Sequence, residues 1–161
     1  MRIAVFDYGV GNLHSLTHAL RAGAEVVVTP DPDVVLRADA LVLPGVGAFG
    51  AAAERLAPAA PALRAAVDDG FPCLGICLGM QLLLDTSEEG PGCGLGVVPG
   101  RLVRLHASRV PHMCWKRVDP VPVATDPLIG VGLEAYFANS YIGRPDDPAA
   151  VNASTEHDGV R

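Results

Sequence analysis

Long apolar runs are missing from this chain. None approaches the ~18 consecutive apolar residues that a membrane-spanning helix needs. The opening run Met1-Arg2-Ile3-Ala4-Val5-Phe6 stops at Asp7. It is too short for the apolar centre of a secretion signal and reads as a buried strand. Positive charge is also scarce. Twelve basic residues face eighteen acidic ones, a formal charge of −6, which argues against nucleic acid as a partner. Lysine is nearly absent: Lys116 is the lone one beside eleven arginines, which we attribute first to genome composition. Cys73, Cys77, Cys93 and Cys114 form no Cys-x-x-Cys pair, so neither a zinc clasp nor a redox pair is expected. Without a secretion signal, free thiols in the cytoplasm are the expectation.

What is present defines a class. The 161 residues suffice for one domain with a hydrophobic core. Half are apolar, and glycine and proline are frequent, as in α/β proteins with tight turns. Ile3 to Phe6 reads as a first strand, followed by a turn at Asp7-Tyr8-Gly9-Val10-Gly11. Asn12 is placed to cap a helix with Leu13, Leu16 and Leu20 on one face, ended by Gly23. Strands are expected at 24–29 and 40–43, and a helix over 51–69 broken near Pro58 and Pro61. Another strand over 72–76 leads into a helix over 78–84. Alternation of this kind predicts an open, mostly parallel sheet flanked by helices. After Ser87 the pattern changes. Strands expected at 101–105, 115–118, 134–138 and 149–153 suggest an antiparallel extension within one domain spanning 1–161.

The chemistry concentrates at Gly75-Ile76-Cys77-Leu78-Gly79. A strand turning sharply into a helix presents the turn residue at the carboxyl edge of a sheet. Small residues two positions to either side permit the bend, as in the Gly-x-Ser-x-Gly elbow. A cysteine at a helix amino end is biased towards thiolate, with pKa values of roughly 3.5–7.5 on record. The Leu78 amide is then a candidate donor to the oxyanion of a tetrahedral intermediate. The loop Pro44-Gly45-Val46-Gly47 leaves the neighbouring strand at the same edge and is a candidate source of a second donor. One such donor is typically worth ~2.7–4 kcal/mol in the transition state. Against this stands the ordinary fate of a free cysteine, burial in the core. Cys73 lacks the glycine frame and is assigned that fate, and Cys93 is read as incidental.

Several weaker patterns are set aside. Gly9-x-Gly11 lacks the third glycine and the acidic partner of a dinucleotide fingerprint. His14 and His18 lie i, i+4 without an acidic third ligand and read as an exposed helix face. Glu156-His157-Asp158-Gly159 reads as a hairpin turn. Asn152-Ala153-Ser154 fits a glycosylation pattern that a cytoplasmic protein would not use. No metal and no cofactor is expected.

Five segments in order carry a resemblance: Asp7-Tyr8-Gly9-Val10-Gly11-Asn12, Pro44-Gly45-Val46-Gly47, Gly75-Ile76-Cys77-Leu78-Gly79-Met80-Gln81, Ser87-Glu88-Glu89-Gly90 and Pro111-His112-Met113. The chain resembles the class I glutamine amidotransferase family, whose fold is flavodoxin-like. Its opening and its Pro-His-Met-x-Trp segment narrow the likeness to glutaminase subunits of imidazole glycerol phosphate synthase, of histidine biosynthesis. The resemblance implies attack by Cys77 on the glutamine side-chain amide. It implies a thioester, release of glutamate, and passage of ammonia to a (β/α)8-barrel cyclase subunit in a heterodimer. Gly45, Gln81 and Glu89 match substrate-holding positions, as do Ser140 and Tyr141. Val46 and Gly47 match the oxyanion loop beside Leu78. Asn12 and Trp115 match positions facing the cyclase. Gln81 also reads as a solvated helix residue, Glu89 as a surface acid and Trp115 as core.

The departures are specific. The family's base is a histidine in a late Phe-His-Pro-Glu turn, and none of His14, His18, His106, His112 or His157 precedes Pro-Glu. The expectation is a domain truncated before that turn, its 161 residues unable to turn over glutamine by themselves. A catalytically inactive regulatory or binding subunit is the alternative. Another is a related glutaminase of pyridoxal phosphate or anthranilate synthesis, against which the Pro-His-Met-x-Trp segment argues. Cys114 and Lys116 stand where the family usually has Gly and Asn, and Asn139 where many members have His. Cys114 is expected to crowd a backbone turn.

Overall fold

The computed structural model describes residues 1–9, 13–120 and 132–161. Four strands form a parallel sheet in the order β2-β1-β3-β4: β1 (Arg2–Phe6), β2 (Glu25–Thr29), β3 (Ala40–Leu43) and β4 (Cys73–Gly75). The connections carry helix α1 (Leu13–Leu20), the short α2 (Pro32–Val35), and then α3 (Phe49–Leu56) and α4 (Ala60–Asp68). The interruption between α3 and α4 falls at 57–59, beside Pro58, where the expected break lies.

The period-two alternation of the strands builds two cores. Ile3, Val5 and Val42 point to one face and pack against Leu13, Leu16 and Leu20 of α1. Ala4, Phe6, Leu41 and Leu43 point to the other and meet Phe49, Ala52, Leu56 and Leu63 of α3 and α4. Asn12, expected to cap α1, lies outside the described residues, together with Val10 and Gly11. Among the described residues no helix is long and apolar enough to cross a membrane.

β4 runs into α5 (Leu78–Gln81), which is shorter than the expected helix over 78–84. The physical reason is tertiary. The carbonyls of Leu82 and Leu83 accept from the amides of Leu95 (2.7 Å) and Val98 (3.0 Å), so they are taken by a loop instead of another helical turn. The remaining strands are β5 (Thr86–Ser87), β6 (Gly100–Arg104), β7 (His112–Arg117), β8 (Asp119–Pro120), β9 (Glu134–Asn139), β10 (Tyr141–Pro145) and β11 (Ala153–Ser154). They assemble as β10-β6-β5, β7-β9 and β11-β8. The β7–β9, β10–β6 and β11–β8 pairs are antiparallel, and β5 lies parallel to β6.

Two expectations fail here. The strand expected over 149–153 is a 3-10 turn, Pro148–Ala150, followed by the two-residue β11. The Asp147 carboxylate accepts from the Ala149 amide, and Pro148 at the first helical position has φ preset for a turn. Cys114 does not crowd a turn. It sits mid-strand in β7, paired with Phe137 of β9, where a β-carbon costs nothing.

Candidate active site

The register of the sheet places the end of β4 beside the end of β3, with Leu43 opposite Gly75. The Ile76 amide then donates to the Leu43 carbonyl at 2.9 Å, and the chain reverses. Cys77 occupies φ +53°, ψ −111°, a conformation that L-residues rarely adopt. Such backbone costs on the order of 1–3 kcal/mol and persists where the surroundings enforce it. The enforcement is visible in the two glycines. A β-carbon on Gly75 would stand 2.5 Å from Met80 Cα, and one on Gly79 would collide with the Leu43 carbonyl. Only glycine lets β3, β4 and α5 approach this closely.

This bend exposes Cys77, whereas Leu78 behind it is buried. Cys77 is the cap residue of α5, and no side chain caps the helix. The Gln81 amide donates to the Cys77 carbonyl at 3.1 Å, which ties Gln81 to the same turn. The loop after β3 leans on the elbow. Gly45 lies at φ +138°, and a β-carbon there would stand 3.2 Å from Leu78 Cδ2. Gly47 lies at φ +121° in open space, and Val46 is exposed. The two loops expected to supply oxyanion donors are therefore neighbours at the carboxyl edge, where open α/β sheets bind ligands.

A cavity of about 500 Å³ opens at Cys77. Gln81 and Tyr141 line it with Cys77, and so do Met80, His112 and His157. Its size suits a small metabolite. Glu89 is placed elsewhere. Its Oε2 accepts from the Phe49 amide at 2.8 Å, at the start of α3, where the cap residue Ala48 offers no side-chain bond. Glu89 lines a second, largely apolar cavity of about 1110 Å³ between α3, α4 and the Gly90–Gly94 loop. Ser140 sits between β9 and β10, and its carbonyl accepts from Leu105 at 2.9 Å. Trp115 is not core. It stands 68% exposed on the outer face of β7, edge-on to Tyr136 at 5.7 Å.

The other cysteines lie outside the glycine-framed elbow. Burial pushes Cys73, in β4, up to about 11, leaving it a neutral thiol at physiological pH. Cys93 is exposed in its glycine loop. Sequence reasoning missed the pairing of His112 with His157. Their rings stack at 4.0 Å, and His112 also stacks on Phe137 at 5.0 Å. The strand period of β7 could have placed His112 inward, but nothing local announces its distant partner. Burial lowers the His112 pKa, repulsion from His157 and Lys116 adds to this, and Asp158 opposes it. His157 opens a tight turn in which Asp158 and Gly159 both have positive φ, closed by paired 2.9 Å bonds between His157 and Val160. That is the hairpin expected there.

A doubly wound sheet with a glycine-framed cysteine elbow at its carboxyl edge defines a class, and comparison with known proteins agrees. The family model "Glutamine amidotransferase class-I" matches residues 4–121, and the chain belongs to that family. A crystal structure of a glutamine amidotransferase superposes with a TM-score of 0.74 over 94% of this chain and 78% of the other, at 18% identity, which bears on the fold.

Within the family the chain groups with the HisH subunits of imidazole glycerol phosphate synthase. It is 49% identical to that subunit from Natronomonas pharaonis, the match covering 96% of this chain and 76% of the relative. It is 48% identical to the one from Halobacterium salinarum, over 96% and 75%. The Pyrococcus furiosus subunit is 40% identical over 99% and 81%.

Proposed function

We propose that the chain is the glutaminase subunit of an imidazole glycerol phosphate synthase and that Cys77 is its nucleophile. The observation that carries this reading is the elbow: an exposed cysteine at positive φ, framed by two glycines that cannot be replaced without a backbone clash. In the proposed step the Cys77 sulfur forms a bond to the side-chain carbonyl carbon of glutamine. The carbonyl electrons move onto oxygen, which the Leu78 amide and the Val46-Gly47 loop stabilise. Collapse breaks the carbon–nitrogen bond. Nitrogen takes up the proton that the Cys77 thiol gave up and leaves as ammonia, and the acyl group stays on sulfur. Water then cleaves the thioester and returns the thiol with glutamate.

Substrate recognition follows the cavity. Gln81 and Tyr141 are assigned to hold glutamine, with Gly45 keeping the loop close to the elbow. Ser140 is assigned a place beside Tyr141. Glu89 is assigned to the substrate's amino-acid end, a role that needs its carboxylate to exchange the Phe49 amide for the ligand. No histidine within residues 1–161 precedes Pro-Glu, so the reading gives these residues the nucleophilic half of the reaction. The partner is a (β/α)8-barrel cyclase that receives the ammonia. The exposed Trp115–Tyr136 pair supports that face as the contact, and Asn12 is assigned to the same contact. The single domain is assigned to the cytoplasm.

A glutamine-mimicking diazo ketone tests the chemistry. Peptide mapping should place the adduct on Cys77 and not on Cys73, Cys93 or Cys114, with excess glutamine slowing the labelling. Equal labelling of Cys93, or indifference to glutamine, would return Cys77 to an inert surface thiol.

A further inference from the structure

The inner face of the β7–β9 ribbon carries a cluster that glutamine hydrolysis does not require. β7 alternates: His112, Cys114 and Lys116 are turned inward, and Met113, Trp115 and Arg117 are exposed. A period of two therefore sets the His112 imidazole and the Cys114 thiol side by side on one face. His157 reaches the same place from the far end of the chain, held by its hairpin. Each of the three offers one ligand atom, and these atoms lie within 4.8 Å of one another. His112 is 2% exposed, and its Nε2 is buried with no hydrogen-bond partner among the described residues.

A stack of imidazoles on Phe137 accounts for the ring packing. It does not account for a buried, unpaired ring nitrogen beside a free thiol. We propose that His112, Cys114 and His157 form a binding site for a zinc-class divalent cation. Two imidazole nitrogens and one thiolate are a borderline-soft donor set, suited to zinc or cobalt and not to magnesium or calcium, which take oxygen ligands.

The surroundings fit this use. His157 Nε2 lies 2.8 Å from the Arg109 carbonyl. A carbonyl on one ring nitrogen orients a metal-bound histidine and leaves the other nitrogen to ligate. Asp158, fixed by Ser108 and by the Arg109 amide at 3.1 Å, adds a negative charge 3.9 Å from His157 Nε2. Lys116 lies two residues beyond Cys114 on the same face and opposes a dication. The Cys114 thiolate and Asp158 offset it. The cavity shared with Cys77 reaches both histidines, giving the ion a path in and a water a place as fourth ligand.

Binding requires movement. Donors around one tetrahedral zinc, at bond lengths of about 2.0–2.3 Å, stand about 3.3–3.8 Å apart. The cluster must contract by about 1 Å, and the imidazole stack must open so that the lone pairs converge. The Cys114 thiol proton leaves as the sulfur–metal bond forms, so one proton is released per ion bound.

Cobalt(II) titrated into the reduced, metal-free protein provides the test. The expected result is one cobalt per chain, a thiolate-to-cobalt charge-transfer band, and displacement by zinc. Cys114→Ser should abolish that band, and His157→Gln should weaken binding at least tenfold, with circular dichroism verifying the fold of each. Cys77→Ser and Cys93→Ser should keep the band. The unmodified chain alone is decisive: no thiolate band at one equivalent of cobalt overturns the site. So does a band that survives Cys114→Ser or disappears with Cys77→Ser or Cys93→Ser.

Discussion

Replacing Gly79 by alanine tests the physical origin of the elbow. The added methyl group would collide with the Leu43 carbonyl oxygen and carbon, which are backbone and cannot rotate away. Overpacking a tight site costs typically 1–3 kcal/mol, and a rigid backbone obstacle argues for the upper end, about 3 kcal/mol. Separating β3 from α5 also strains the 2.9 Å bond from the Ile76 amide to the Leu43 carbonyl, worth about 1 kcal/mol. Higher helix propensity returns roughly 1 kcal/mol. The net expectation is a loss of about 3 kcal/mol, or a fall in Tm of about 6–12 °C for a domain of this size. Urea denaturation measures the loss, and alkylation of Cys77 reports whether the thiol is displaced. Gly23→Ala is the control, because its β-carbon meets nothing within 4 Å and its φ is not positive. The reasoning is refuted if Gly79→Ala unfolds within about 0.5 kcal/mol of the parent and leaves Cys77 alkylation unchanged.

Other perturbations separate structural from functional roles. Glu89→Ala removes the carboxylate from the Phe49 amide and should cost about 1 kcal/mol in urea denaturation, as the loss of a helix cap does. Glu89→Gln, which keeps an acceptor, should cost less than half of that. His112 is held neutral by burial, so its folded pKa lies below the ordinary 6.5. The unfolded chain then binds the extra proton first. This contribution to stability is complete above about pH 6.5 and declines as pH falls through and below that value. Denaturation midpoints at pH 7.5 and 5.5 should differ in that direction, and His112→Phe should shrink the difference. Trp115→Ala should change stability by less than about 0.5 kcal/mol, because the ring is exposed. If Trp115 forms the proposed contact, the substitution should weaken association with the proposed cyclase partner by about 2 kcal/mol, as loss of an interfacial tryptophan does. Calorimetric titration distinguishes this from a tryptophan with no partner.

The parallel half of the fold was legible because its elements are short and strongly patterned. Ile3 to Phe6 and Ala40 to Leu43 announce buried strands, and Leu13, Leu16 and Leu20 announce the helix face that covers Ile3, Val5 and Val42. The frame around Cys77 was legible because glycine is the one residue that tolerates so close a backbone. The turn at His157 was legible from Asp158-Gly159. What escaped depends on distant partners. The end of α5 is set by amides of Leu95 and Val98, which no window around Leu82 contains. Glu89 engages Phe49, in another element, and not the cavity at Cys77. The stack of His112 on His157 joins a strand to a hairpin far along the chain. Cys114 was read against a family glycine, and the strand that accommodates it comes from pairing with β9.

A crystal structure of the diazo ketone adduct would address the proposed nucleophile most directly. The account predicts a covalent bond from Cys77 Sγ to the ligand, whose carbonyl oxygen stands about 2.7–3.1 Å from the Leu78 amide. An unmodified Cys77, with the ligand's reactive carbon held away from its sulfur, would contradict it.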